Sequence, residues 1–409
     1  MTRHSRLAVG WALALAAALL LNLAIARQTT APVVTVAAAV PTPVAIPGVA
    51  PDPFEALPHS RPTPEPVDWV AGSARPRQLL PVSATEAASL QAAVDRMRTQ
   101  FHLSSLAVAI SAPGGVGWSG ASGTARDGIT RLTAQSPFVI ASVTKTFVAA
   151  LVLQLIEEGQ LTLDTEVAQL LTGVKVPAGV TVEQLLRHTS GIADLVRPLR
   201  PVLNDDTEHR FTPAEVIAAV GPVWWAPGAH WGYSNTNYVL LGMVVERVTG
   251  RPFADVLEER LLGPLLLDGT GMLETPGAPW MMPPAWTSAF WTSGSMYASA
   301  DDLLRWGDAL YDGDVLPAAS LERMLSFGGY RYGLGTEELS VGGRIGYGHS
   351  GLLRGFTSLL VRLPNEGVTV ALLSTGPRYD PAELLATGSP GQPSILDLAL
   401  LPSVTALVP

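Results

Sequence analysis

The chain is 409 residues long, enough for one large domain or two ordinary ones with extensions, and its 47% apolar content can fill a core. A formal charge of −9 without a basic stripe argues against nucleic acid as a partner, because phosphate binding needs clustered Lys and Arg. With no cysteine, disulfides, thiolate metal sites and a lipid-modified cysteine are excluded.

Arg3, His4 and Arg6 precede an apolar run from Leu7 to Ala26 that only Asn22 interrupts, and Ala24-Ile25-Ala26 has the small-x-small spacing of a cleavage site. The run is also about as long as a bilayer span needs. Residues 1–26 therefore read as either a cleaved secretory signal or a retained N-terminal anchor. In both cases the basic flank stays cytoplasmic and the rest is exported. The expected location is periplasmic, extracellular or membrane-tethered, with membrane contact only through this segment. Residues 27–82 follow as a proline-rich linker, with Pro41-Thr42-Pro43 and Pro62-Thr63-Pro64-Glu65-Pro66. Such a stretch lacks donors and a burying face, so an extended tether is expected.

Residues 83–378 read as the folded domain. Leu90, Val94, Met97 and Phe101 fall at helical spacing and predict an amphipathic helix over 85–101. Leu106–Ile110 reads as a buried strand, and Pro137–Ile140 as an extended segment leading to Ser142. Beyond Ser142, Phe147, Val148, Leu151, Val152, Leu155 and Ile156 repeat at three and four residues, up to a stop at Gly159. This pattern is apolar almost all round and predicts a central helix. Thr181 with Gln184, Pro252, and Ser299 with Asp302 open further helices. Phe356–Leu363 and Val368–Ser374 flank Pro364-Asn365-Glu366-Gly367 as a hairpin. Residues 379–409, broken by Pro and Gly, read as a weakly structured tail with one weak helix near 395–401. The fold class expected is α+β: an antiparallel sheet built from both ends of the domain, flanked by helices, with a mainly helical region inserted.

Ser142-Val143-Thr144-Lys145 is the strongest chemical signal. A Ser at a helix N-terminus has its own N–H and the helix dipole beside any oxyanion formed at an attacked carbonyl. Residues i and i+3 share a face, so the Lys145 amine can reach Ser142 Oγ and, if desolvated, act as a base. Of 26 basic residues only Lys145 and Lys175 are lysines, which makes this placement hard to ascribe to chance. In Tyr233-Ser234-Asn235, a phenol could relay a proton, while Asn235 could orient Lys145 and bind a substrate carbonyl. In Gly348-His349-Ser350-Gly351, a glycine on a strand lets a substrate approach closely. The Leu352 N–H could be a second oxyanion donor. His349 could meet a substrate carboxylate or hold Tyr233. Trp280-Met281-Met282-Pro283-Pro284-Ala285-Trp286, with Trp291 nearby, could line an apolar acyl pocket or pack as a surface loop.

These three elements in this order resemble the serine β-lactamase and D-alanyl-D-alanine carboxypeptidase superfamily, whose signature is Ser-x-x-Lys, Tyr-x-Asn and a Lys- or His-x-Gly triplet. Leu185-Leu186-Arg187-His188-Thr189-Ser190-Gly191-Ile192 and Tyr332-Gly333-Leu334-Gly335 are also similar to it. The resemblance covers about residues 85–376. It implies that Ser142 is acylated, that Lys145 and Tyr233 share the base role, and that the Ser142 and Leu352 amides form the oxyanion hole. Asn235, His349, Ser350 and Gly351 would bind substrate. His in place of Lys in the third triplet puts carboxylate recognition in doubt and points to esterase-like or D-Ala-peptidase-like members. The expected substrates are small peptides, esters or β-lactams, with peptidoglycan as a possible source. A rival reading is a protein acylated by such ligands without turnover. There is no Gly-x-Ser-x-Gly elbow, His-Glu-x-x-His motif or phosphate-cradling Gly-Lys loop, and no cofactor or metal is expected.

Overall fold

The computed structural model describes residues 79–401 except Arg126, Pro222 and Trp280. The expected signal or anchor, nearly all of the proline-rich tether, and Trp280 lie outside the described residues. No described helix is long and apolar enough to cross a membrane.

Ordered structure begins with strand β1 (Leu80–Pro81) and helix α1 (Ala84–Gln100), followed by β2 (Ser105–Ala112) and β3 (Val116–Gly123). Helix α1 starts at a reciprocal cap between Ser83 and Glu86, which satisfies two otherwise orphaned N–H groups. Next come β4 (Phe138–Val139), a 3₁₀ turn over Ala141–Val143, and α2 (Thr144–Glu157). The inserted helical region includes α3 (Val182–Leu186), α4 (Asn235–Thr249), β5 (Gly271–Met272), α5 (Pro284–Gly294), β6 (Met296–Ala298) and α6 (Ala300–Tyr311). The chain returns to the sheet through β7 (Glu337–Val341), β8 (Arg344–Leu353), β9 (Phe356–Leu363) and β10 (Val368–Thr375). It then runs into α7 (Pro381–Ala386) and α8 (Ile395–Ala399).

The main sheet has the order β1-β3-β2-β10-β9-β8-β7, so β2 from the start of the domain pairs with β10 from its end. Alternation along the strands builds two cores. On one face Leu106, Val108, Ile110, Val370 and Leu372 pack against Leu90, Val94 and Met97 of α1. On the other, Ala107, Ala109, Leu360, Ala371 and Leu373 join the larger core containing α2, α4 and α6. Helix α2 is buried from Thr144 to Leu155, as its all-round apolar pattern requires.

Two boundaries differ from expectation. Leu80–Pro81, assigned from sequence to the linker, pairs parallel with Val116–Gly117 and makes the sheet mixed. An edge position suits Pro81, which has no N–H to donate inward. The tail expected beyond residue 378 is packed: Leu384, Leu385, Ile395, Leu396 and Leu398 enter the α1-side core. Helices of six and five residues are too short to display a period, so packing rather than propensity forms them.

One close approach positions the site. Gly351 on β8 lies against the turn that leads into α2, and a Cβ there would run into Ser358 Oγ and the Ile140 carbonyl. Those two groups are themselves hydrogen-bonded at 2.6 Å, tying β9 to the residue before the turn. Gly351→Ala is expected to lower stability by about 1–3 kcal/mol through overpacking. The check is the urea midpoint at unchanged m-value.

Candidate active site

Ser142 lies in the 3₁₀ turn one residue after Ala141, which has φ 47, a left-handed conformation costly for a residue with a Cβ. The burial of Ile140, Ala141 and Val143 and the Ser358 hydrogen bond hold that strained link. Ser142 thereby precedes α2, and Lys145 stands one turn later on the same face.

Lys145 is fully buried and its Nζ has three oxygen partners: Ser142 Oγ at 3.1 Å, Asn235 Oδ1 at 2.9 Å and the Ser293 carbonyl at 2.6 Å. Burial pulls its pKa from 10.5 down to about 7, opposed by the charges of Asp194 and then Glu337. Two of the three partners can only accept. A neutral amine therefore spends its two N–H groups on Asn235 and Ser293 and turns its lone pair to the Ser142 hydroxyl. That is the arrangement of a base.

The orientation of Asn235 is imposed by Asp194. This half-buried carboxylate accepts from the Asn235 backbone N–H at 2.7 Å, from its side-chain NH₂ at 2.9 Å and from Val196 N–H at 2.8 Å. Burial raises its pKa, and these donors and Lys145 oppose the rise. With the amide NH₂ committed to Asp194, Asn235 presents its carbonyl to Lys145. The bond to Asp194 uses one of the two N–H groups of the amide, and the second is left for the role expected from sequence, donating to a substrate carbonyl.

The segment His188–Asp194 also carries the neighbouring loop. Gly232 N–H donates to the His188 carbonyl, Ser234 N–H to His188 Nδ1, Ser234 Oγ to the Ala193 carbonyl, and Ser190 Oγ to Asn237 Oδ1. Burial holds His188 well below its ordinary pKa, so it is a neutral scaffold. Tyr233, delivered by this loop, donates from its hydroxyl to Ser142 Oγ at 2.9 Å. Burial first, and then the Glu337 charge, raise its pKa well above 10, so it is a phenol and a proton donor.

The third triplet is placed differently from expectation. His349 is fully buried, with Nε2 2.9 Å from Tyr332 Oη and Nδ1 2.6 Å from the Ser350 carbonyl. Because that carbonyl can only accept, Nδ1 carries the proton and Nε2 accepts from Tyr332. The ring supports Tyr332, not Tyr233, and both its nitrogens are engaged, which leaves neither for a substrate carboxylate. Burial also lowers its pKa, so the ring is neutral. Ser350 and Leu352 are partly exposed on β8, flanking Gly351 at the Ser142 turn.

Three groups escaped the sequence reading. Asp194 is 41 residues from Asn235, and Glu337 reaches Ser350 only through the β7–β8 pairing. The Ser293 carbonyl is backbone and has no side-chain signature. It is aimed by a kink at Trp291, with φ 29 and ψ −117, inside α5. Trp286 stacks on Phe290 and donates its indole N–H to the Leu203 carbonyl, which is a packing role.

Comparison with known proteins accords with this geometry. Residues 90–388 match the Beta-lactamase family. Penicillin-binding protein 4 of Amycolatopsis lactamdurans is 32% identical over 325 residues, covering 69% of this chain and 83% of that protein. Penicillin-binding protein 4* of Bacillus subtilis is 25% identical over 281 residues, covering 59% of this chain and 61% of the relative. Among solved structures, a D-stereospecific amidohydrolase from Streptomyces sp. aligns with a TM-score of 0.60 at 28% identity, covering 71% of this chain and 94% of that one. The D-amino acid amidase from Ochrobactrum anthropi SV3 aligns with a TM-score of 0.66 at 25% identity, covering 78% and 98%. With the family match extending over most of the chain and a serine held between an amine and a phenol at its centre, the chain belongs to the Beta-lactamase family and is a serine hydrolase.

Proposed function

We propose that the protein hydrolyses small D-residue-containing peptides, amides or esters through an acyl-enzyme on Ser142. The observation that carries this reading is the pair of contacts to one hydroxyl: Lys145 Nζ at 3.1 Å and Tyr233 Oη at 2.9 Å. In acylation the neutral amine takes the Ser142 proton as Oγ attacks the carbonyl carbon. The Ser142 and Leu352 amides receive the oxyanion. As the tetrahedral adduct collapses, Tyr233 protonates the leaving nitrogen or oxygen and is reprotonated from the Lys145 ammonium. Water then attacks the acyl carbonyl, gives its proton to the same pair, and releases Ser142.

The amidohydrolase and amidase neighbours favour the amide chemistry, and the penicillin-binding relatives favour a serine that accepts strained amides as well. Export follows from the Arg3–Ala26 segment, as a signal or an anchor, with the domain acting outside the cytoplasm on peptidoglycan-derived peptides or related small molecules.

Purified protein assayed with a D-Ala-D-Ala peptide, a D-amino acid amide, nitrophenyl esters and a chromogenic cephalosporin is expected to turn over peptide, amide or ester, with all activity lost in Ser142→Ala. A single stoichiometric acylation without turnover would show a binding protein instead. Lys145→Arg is expected to fall at least about 10²-fold in kcat/KM, as Lys145→Ala does, because a guanidinium does not give up its proton. Retained turnover in the Arg variant would remove the amine from the mechanism.

Because the neutral amine is the active form and its pKa is about 7, kcat/KM should rise with pH through about 7 and be lost as pH falls below it. His188 and His349, both held low by burial, add no limb there. The Asp194 charge raises the Lys145 pKa, so Asp194→Asn should move the acidic limb to lower pH. It should also lower kcat, about tenfold or more, as the Asn235 amide loses its anchor. An unshifted limb in that variant would reduce Asp194 to a structural cap.

A further inference from the structure

Glu337 is a carboxylate that the acylation steps leave unused. It opens β7 opposite Gly348, and its side chain runs along the edge of β8. Oε2 accepts from both the backbone N–H and the hydroxyl of Ser350, each at 2.9 Å. Oε1 stands 3.7 Å from His349 Nδ1, whose proton is already given to the Ser350 carbonyl. The side chain is 22% exposed, and no Lys or Arg forms an ion pair with it among the described residues.

This charge is close enough to act on both Tyr233 and Lys145, raising the pKa of each. Tyr233, the donor to the leaving group, has its ring 6.2 Å from that of Tyr332, which is bonded to His349 beside Ser350. Gly351, next to Ser350, lies against the turn that carries Ser142, so a leaving group within reach of the Tyr233 hydroxyl has the Ser350 edge beside it. The two donors there that would receive an anion are both occupied by the protein's own carboxylate.

Resting on the reading of Ser142 as the acylated residue, we propose that Glu337 is a specificity determinant that makes the leaving-group edge anionic. It disfavours substrates whose leaving group ends in a free carboxylate and favours those whose leaving group is neutral or cationic. Like charges brought together in a partly desolvated site repel, and the anionic substrate finds no unoccupied donor at Ser350 to offset that repulsion. The substrate class becomes amides, esters and blocked or amine-bearing peptides, in preference to peptides with a free C-terminus.

The test compares a D-Ala-D-Ala-terminated peptide as the free acid with the same peptide as its C-terminal amide. The full-length protein and its Glu337→Gln, Glu337→Asp and Ser142→Ala variants would be assayed by kcat/KM. Gln still accepts from Ser350 while removing the charge, and Asp keeps the charge. Wild type and Glu337→Asp are expected to prefer the amide by about tenfold or more, chiefly in KM. In Glu337→Gln the ratio should fall to within about threefold, with the gain on the acid. Equal use of acid and amide by the wild type, or an unchanged ratio in Glu337→Gln, with turnover still dependent on Ser142, would overturn this proposal alone. Turnover surviving in Ser142→Ala would overturn the acyl-enzyme reading and this proposal with it.

Discussion

The burial of one amine organises the site. Lys145 lies inside the larger core, where an ammonium is poorly solvated, and its three oxygen partners are the groups that make a neutral amine useful. Were they fewer, the buried nitrogen would carry unmet donors. A full countercharge in direct contact would instead hold the proton on. The observed set lies between these extremes: two neutral carbonyls and a hydroxyl, with Asp194 and Glu337 acting from further away. The result is an amine poised near neutrality within a single helical turn of the Ser142 hydroxyl.

Much of the surrounding structure serves to orient those oxygens. Asp194 turns the Asn235 amide, and the His188–Asp194 segment pins the loop that carries Tyr233 through backbone and side-chain bonds. Backbone strain is placed at the two points where the chain must present a group sharply: Ala141 before Ser142, and Trp291 before the Ser293 carbonyl. Buried residues stand close to each strained link, Ile140 and Val143 at the first and Phe290 and Thr292 at the second, which is what allows a costly φ to persist.

The late strands supply a different element. Their glycine at position 351 lets β8 lie on the Ser142 turn, while His349 is spent on Tyr332 and Ser350 on Glu337. A histidine that stands in the third triplet is here an internal strut. The charge on that edge comes from the neighbouring strand and has the sign opposite to that of a lysine in the triplet. The Ser142–Lys145 pair and the β7–β8 edge are thus supplied by separate parts of the fold.

Local features could be read directly from the chain. Ser142 and Lys145 are three residues apart, so any helix places them together, and the all-round apolar pattern after them already meant a buried helix. The Thr181–Gln184 cap of α3, the buried strand at 106–110 and the β9–β10 hairpin are short-range as well, and all are found in the structure. What tertiary structure alone decided involves residues distant in sequence or groups without side-chain identity. These are the Asp194 clamp on Asn235, the Ser293 carbonyl, the choice of Tyr332 as partner for His349, and Glu337 on Ser350. The same applies to β1 and the C-terminal helices, too short to carry a period and formed by what they pack against. Hydrogen-bond partners and burial are properties of packed surfaces, and a linear pattern reports them only when both partners lie within one element.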